Sequence, residues 1–219
     1  MSDAERSALL AARSLLYSFV SALFSPPGSE QFEMLRTEEL QTGVLSSSKY
    51  LDASLNSGSI NLEPLVRKIF VALPKTGQRI EEKYGRLFGH TLSKETAPYE
   101  IEHMKTKEVF ALTQGLADIQ GFYRAFGVEV DSGERADHIA IESEFLSYLI
   151  LKESLAVENQ QSENAEVCSK AQKDFWKDHF SWWTPRLAKE LQQQADGFYN
   201  LASDFLSRFL EVEGQLLAN

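Results

Sequence analysis

Apolar residues recur every three or four positions along most of this chain, which is the spacing of an amphipathic α-helix. The first such stretch follows a capping box at Ser2–Glu5 and is stopped by Pro26-Pro27-Gly28. Further helices are predicted over residues 29–40, 62–73, 78–88, 99–126, 137–157 and 165–180, from 184 onward, and over 195–213. Runs of alternating apolar and polar residues, which are the signal for strands, are almost absent. The sequence therefore predicts an all-α protein.

Two stretches carry little helical signal. Residues 41–61 are rich in Ser, Asn and Gly and predict at most a short helix over 49–55. Residues 158–166 are polar, and we expect them to be mobile or only partly helical. We predict one helical bundle-like domain over residues 1–219, of about ten helices, with a sub-boundary in the stretch 158–166 as the alternative. That stretch is also a candidate hinge for domain exchange in a homodimer.

Charge and apolar content narrow the classes of function. The formal net charge of −10 argues against a nucleic-acid-binding protein and against a docking surface for anionic lipid. No run approaches the ~20 apolar residues of a membrane span. Asp3 and Glu5 stand where a signal peptide carries positive residues. A lone cysteine, Cys168, cannot form a disulfide within the chain. These features predict a cytoplasmic protein without membrane insertion.

The most informative stretch runs over residues 134–146, where Asp137 and His138 are predicted to open a helix. His138 and Glu142 lie one turn apart and so project from one side of that helix. One interpretation is structural: Asp137 caps the helix, His138 packs and Glu142 is solvated. The other is a binding site, because residues 134–166 hold eight acidic residues against two basic ones and suit a basic partner.

Catalytic and cofactor motifs are missing from the sequence. It contains no G-x-x-x-x-G-K, G-x-G-x-x-G, G-x-S-x-G or H-E-x-x-H segment, and we expect no bound cofactor. One alternative is a helical metalloenzyme built around Glu100, His103, His138 and Glu142, although a second E-x-x-H motif is absent. Another is a plain interaction adaptor that uses the aromatic residues between Trp176 and Trp183, which more often pack in a core.

Three segments together resemble the TorD/DmsD/NarJ family of cytoplasmic chaperones for molybdenum-containing redox enzymes. They are Y-G-R-L-F at 84–88 followed by A-P-Y-E at 97–100, G-F-Y-R-A-F-G at 121–127, and E-R-A-D-H-I-A-I-E-S-E-F-L at 134–146. The resemblance covers about Tyr84 to Leu151. Ala136 and Ala97 stand where the family usually or often has proline.

This resemblance implies an all-helical, non-enzymatic chaperone that binds the twin-arginine leader, or another segment, of an apo-molybdoenzyme of the DMSO-reductase type. A leader carries paired arginines before an apolar stretch, so its receptor should offer carboxylates beside an apolar groove. His138 is expected to tune binding, since its charge changes near neutrality. The leader-binding residues that we predict are Asp137, His138, Glu142, Glu134, Tyr99, Glu100, Tyr123, Phe126 and Gly127.

Overall fold

The helical spacing of the apolar residues is realised in a computed structural model, which describes residues 2–54, 61–75, 78–89, 96–130 and 133–218. Within these ranges the helices are α1 (Asp3–Phe24), α2 (Glu30–Met34), α3 (Glu38–Ser54), α4 (Glu63–Ala72), α5 (Gln78–Phe88), α6 (Glu100–His103), α7 (Val109–Ala125), α8 (Ile139–Glu158), α9 (Ser162–Phe175), α10 (Thr184–Gln194) and α11 (Gly197–Ala218). A π-helical turn over Trp176–Phe180 joins α9 to α10. The predicted all-α fold class is confirmed.

The core forms around α1, which packs along α8 on one side and against α3 and α11 on others. Small side chains let α1 and α8 approach closely: Ser14 Oγ lies 3.0 Å from Ser147 Oγ, and Ser7 Oγ lies 2.9 Å from Ser154 Oγ. These hydroxyls satisfy one another's hydrogen bonds inside the interface. Aromatic rings fill the contact with α11, where the Tyr17 and Phe209 centroids are 4.8 Å apart.

α1 has the length and composition of a membrane span, with a mean hydropathy of 1.5 over its most apolar window. The prediction that no segment approaches such a span is therefore wrong. However, 72% of that window is buried inside the protein. The apolar residues of α1 are thus accounted for by core packing.

The serine-rich stretch that we expected to be weakly structured forms a long helix, α3. Val44 and Leu51 are fully buried, and Leu40 is nearly so. Packing against α1 and α4 stabilises this helix although its serines are poor helix formers. The prediction of at most a short helix over 49–55 is therefore wrong, because the helix already covers residues 41–48 as well. Residues 55–60 lie outside the described part of the chain.

The long helix predicted over residues 99–126 is two helices, α6 and α7. Met104 has the extended backbone angles φ −60° and ψ 140°, which end α6 after one turn. Phe110, expected to supply apolar content, is 81% exposed. The segment before α6 is extended and pairs with residues ahead of α8.

The helix ends near residues 158–166 also differ from the prediction. α8 ends at Glu158, Gln160 turns the chain with φ 57°, and α9 starts at Ser162 and packs back on α8. The stretch 158–166 is therefore partly helical, which agrees with one of the two predicted states, although α9 starts at Ser162 and not at Ala165. The exchange hinge and the homodimer stay predictions.

A buried ion pair links the first and last helices. Arg13 donates from Nε and Nη2 to the two carboxylate oxygens of Glu213, each at 2.8 Å. The side chain of Arg13 is 7% exposed and that of Glu213 is fully buried. Neither charge can be hydrated in the folded chain, so each depends on the other.

We expect Glu213→Leu to lower the free energy of unfolding by about 3–5 kcal/mol, because it leaves a buried guanidinium without its carboxylate. Urea unfolding measures this. The matched double variant Arg13→Met/Glu213→Leu removes both charges and should recover most of the loss. A double variant no more stable than Glu213→Leu would contradict the assignment.

Candidate functional site

The segment before α6 and the segment before α8 pair through their backbones. Tyr99 and His138 form an isolated antiparallel β-bridge. The Glu100 N–H donates to the carbonyl of Asp137 at 2.9 Å, and the Ile139 N–H donates to the carbonyl of Pro98 at 2.9 Å. This pairing holds the first turn of α8 beside the start of α6.

Tyr123 joins the same cluster from α7. Its hydroxyl donates to the carbonyl of Ala136 at 2.8 Å, and its ring packs against Phe145 at a centroid distance of 4.6 Å. The rings of Tyr99 and His138 lie 5.1 Å apart. The structure therefore brings together Tyr99, Tyr123, Asp137 and His138, which the sequence predicted as neighbours.

His138, and not Asp137, caps α8. Its Nδ1 accepts from the Ala140 N–H at 3.1 Å, and the helix begins at Ile139. The Asp137 carboxylate is instead turned toward α6, where it accepts from the Ile101 N–H at 3.2 Å. The prediction that Asp137 opens and caps the helix is thus wrong by one residue, because the β-bridge turns its carboxylate toward α6.

Arg135 covers the Asp137 carboxylate. Its Nε and Nη2 donate to the two carboxylate oxygens at 3.0 and 2.7 Å, and its Nη1 lies 3.3 Å from Glu102. Its guanidinium stacks 4.2 Å from the centroid of Tyr99. Asp137, which we expected to face a partner's arginines, is fully buried under the chain's own arginine.

A second acidic cluster lies deeper. The fully buried Glu142 accepts from Trp183 Nε1 at 3.1 Å. Glu100 accepts from Trp182 Nε1 at 2.7 Å, and its other oxygen lies 3.3 Å from His179 Nδ1. Burial, helped by the nearby carboxyl of Glu100, raises the pKa of Glu142 well above its usual value. The expectation that Glu142 is solvated is wrong, because its carboxyl is fully buried and no partner can reach it in this conformation.

The geometry of the described residues does not favour either alternative site. No group of three or more His, Cys, Asp or Glu side chains that could hold a metal ion occurs in the part of the chain that the structure describes, which includes all four proposed ligands. His103 instead packs on Trp183, with centroids 5.1 Å apart, and its Nε2 bonds the carbonyl of Ala97 at 2.8 Å. The aromatic residues near the π-helical turn are mostly core, because Phe180 and Trp183 are fully buried, although Trp182 is 43% exposed.

An open groove of about 660 Å3 runs between residues 127–130 and the first three turns of α8. Its lining is mostly apolar, with two carboxylates at Glu129 and Glu144, and consists of Gln31, Tyr123, Gly127, Val128, Glu129, Val130, Ile141, Glu144, Phe145 and Tyr148. Gly127 has φ 70°, a left-handed conformation that lets the chain turn out of α7 and along the groove. We call this the α8 groove.

A smaller cavity of about 170 Å3 continues the α8 groove toward the β-bridge. The two share Gln31, Ile141 and Glu144, and the smaller cavity adds Glu134 and His138. Tyr99 donates from its hydroxyl to Glu134 at 3.1 Å. The exposed carboxylates of the site are Glu129 and Glu144, whereas Glu134 is half-buried and accepts from the Tyr99 hydroxyl and the Arg135 N–H. Partial burial raises the pKa of Glu144.

Sequence reasoning found some of these residues and missed others. Tyr123, Gly127, Glu134 and His138 line the groove or its extension, as predicted. Phe126 does not line either cavity; it packs against Phe145 at 6.1 Å. The groove-lining residues that were missed are Gln31, Val128, Glu129, Val130, Ile141, Glu144, Phe145 and Tyr148. The alternation of Val128, Glu129 and Val130 after the glycine was the one available signal.

The buried Glu142 predicts a pH-dependent stability. Because the folded state keeps this carboxyl protonated above the usual pKa of 4.5, stability falls as the pH rises from there toward the raised value. Glu142→Gln keeps a hydrogen-bonding group without the proton linkage. Urea unfolding at several pH values should show that the free energy of unfolding of the variant increases relative to that of the wild type between about pH 5 and pH 8. Glu163→Gln, at an exposed position, is the control, and its difference in stability from the wild type should not change with pH. A pH-independent difference for Glu142→Gln as well would contradict the burial argument.

Comparison with known proteins supports a family assignment. A family model described as "Nitrate reductase delta subunit" matches residues 61–189. The chain is 31% identical over 100 residues to a perchlorate reductase assembly chaperone protein of Dechloromonas aromatica, covering 44% of each chain. It is 27% identical over 215 residues to the chaperone protein TorD of Aliivibrio salmonicida, covering 94% of each. A selenate reductase assembly chaperone protein of Thauera selenatis is 33% identical over 79 residues, which are 35% of this chain and 40% of the relative.

These matches differ in extent, but the family match spans more than half of the chain. The aligned part covers less than half of the Dechloromonas and Thauera relatives and nearly all of the Aliivibrio one. The three resembling segments at 84–100, 121–127 and 134–146 all fall inside the matched region. The chain belongs to the nitrate reductase delta subunit family, the family of TorD-like chaperones.

Proposed function

We propose that this protein is a cytoplasmic maturation chaperone for a molybdenum-containing reductase of the DMSO-reductase type. It binds the twin-arginine leader, or another segment, of the apo-enzyme and holds it until the cofactor is inserted. It acts by binding and not by catalysis. The names of its relatives, which refer to the assembly of perchlorate and selenate reductases, support the class of client. The observation that carries the proposal is the α8 groove.

The groove has the chemistry of a receptor for a leader segment. Val128, Val130 and Ile141 are partly exposed on its apolar walls. Glu129 and Glu144 lie at its rim, and Glu134 lies in its extension. A segment with paired arginines followed by apolar residues can place its arginines near these carboxylates and its apolar residues against the apolar walls.

The magnitudes fit reversible binding. Micromolar affinity corresponds to roughly −8 kcal/mol. Burying a few hundred Å2 of apolar surface supplies several kcal/mol at ~25 cal/mol/Å2, before the ordering costs of association. A rim carboxylate that stays exposed to water contributes only about 0–1 kcal/mol. The apolar walls therefore set the affinity, and the carboxylates decide which segment is accepted.

Calorimetric titration of the full chain with a reductase leader peptide tests the proposal. Ile141→Ala removes apolar wall area and should weaken binding by about 1–2 kcal/mol, roughly 5–30-fold, for the Arg–Arg peptide and its Lys–Lys version alike. Leu155→Ala is the matched control, because Leu155 is exposed on α8 but lies outside the groove. Absence of binding by the wild type, or equal losses in both variants, would refute the groove as the receptor.

Binding should also depend on pH through Glu144. Its raised pKa means that it loses its charge at a higher pH than an ordinary glutamate as the solution is acidified. The affinity for the Arg–Arg peptide should therefore fall as the pH drops through the raised pKa of Glu144. The fall should be smaller in Glu144→Gln. Titrations between about pH 5 and pH 8 measure this. Identical pH profiles of affinity for the wild type and Glu144→Gln would exclude a role for Glu144. Glu134→Gln tests the other carboxylate of the cavity in the same way.

A further inference from the structure

The Arg135 guanidinium occupies a site with the features by which proteins recognise arginine. Asp137 accepts a two-pronged pair of hydrogen bonds, at 3.0 and 2.7 Å. Glu102 approaches from another direction at 3.3 Å, and the face of Tyr99 lies 4.2 Å below the guanidinium carbon. Bidentate carboxylate pairing combined with stacking on an aromatic face distinguishes arginine from lysine. We call Asp137, Glu102 and Tyr99 the guanidinium site.

Arg135 is the outer member of this arrangement. Its side chain is 38% exposed, whereas the Asp137 carboxylate beneath it is fully buried. Asp137 is also fixed from behind, since it accepts from the Ile101 N–H at 3.2 Å and its carbonyl accepts from Glu100. Moving the Arg135 side chain into solvent would therefore uncover a positioned acceptor without disturbing the backbone pairing.

The guanidinium site lies beside the groove proposed for the leader. Gly133 and Glu134, immediately before Arg135, line the cavity that extends the α8 groove. The Tyr99 hydroxyl donates to Glu134 at 3.1 Å, so a hydrogen bond joins the floor of the guanidinium site to the wall of that cavity. A peptide that places its apolar stretch in the α8 groove brings its preceding arginines to this end.

We propose that Arg135 is an internal occupant of the guanidinium site and is displaced by an arginine of the client segment. This inference rests on the proposed function. The exchange replaces one set of charge-assisted hydrogen bonds by an equivalent set, so it adds little affinity. A lysine cannot reproduce the bidentate pair and the stacking, so the exchange discriminates between the two residues. When the client leaves, Arg135 returns and Asp137 is never left uncovered.

The full-length wild-type protein, labelled with 15N at arginine, reports the exchange directly. The Nε–H of Arg135 is hydrogen-bonded to Asp137 and should exchange slowly with water, unlike that of the solvent-exposed Arg208. Its signal is identified by its loss in Arg135→Lys. Saturation with unlabelled Arg–Arg leader peptide should accelerate the exchange of this proton to that of Arg208, and saturation with the Lys–Lys version should leave it slow.

Affinities give a second readout. Arg135→Ala empties the site and should tighten binding of the Arg–Arg peptide about tenfold, which corresponds to ~1.4 kcal/mol. Arg67→Ala is the charge-matched control, because Arg67 also pairs with a glutamate but lies on α4. The Lys–Lys peptide should respond equally to both variants. If Arg135→Ala does not fold, Arg135→Lys keeps the charge but not the two-pronged pairing, and it should shift binding in the same direction.

The outcomes separate this inference from the proposed function. Peptide binding in which the Arg135 proton stays protected, together with unchanged or weaker Arg–Arg affinity in the Arg135 variants, would overturn the exchange and leave the chaperone proposal standing. A peptide that does not bind the wild type at all would overturn both.

Discussion

The backbone pairing between residues 98–101 and 136–139 is the constraint on which the site depends. Two interstrand hydrogen bonds, the side-chain bond from Ile101 to Asp137 and the bond from Tyr123 to Ala136 tie α6, α7 and the start of α8 together. All of these groups are buried, where an unpaired polar atom costs free energy. The pairing therefore has few alternatives, and it fixes where each neighbouring side chain points.

This constraint divides the acidic residues of the stretch into two sets. Asp137 and Glu142 face inward, one covered by Arg135 and the other bonded to Trp183. Glu134 and Glu144 lie along the α8 groove and its extension. In the unbound protein the inner carboxylates bond to the chain's own side chains, and the exposed Glu144 is accessible to a partner. A protein that must hold a basic segment and later release it is served by this division, because screened outer charges bind weakly.

Most of the helices could be predicted from the sequence, because apolar residues recur every three or four positions along a helix of any length. α5 over Gln78–Phe88 was predicted at both ends. α3 was missed, because its burial against α1 outweighs the low helix propensity of its serines. The break at Met104 was missed as well, because no glycine or proline within residues 100–108 signals the end of a helix.

The site was predictable in position more than in detail. The motif at 134–146 and Tyr99 pointed to one cluster, and the structure brings them together. A local sequence cannot tell an exposed acid from a buried one, and the partner that buries Glu142 is Trp183, 41 residues further on. Val128 and Val130 were overlooked because their wall exists only when the chain leaves α7 at Gly127 and runs beside α8.

Hydrogen–deuterium exchange of the full chain with and without a bound apo-reductase locates the receptor surface most directly. The account predicts slower exchange over residues 128–130 and the first turns of α8 when the client is bound. Protection confined to the far end of α8 and to α9, around Leu155 and Val167, with the α8 groove unchanged, would contradict it.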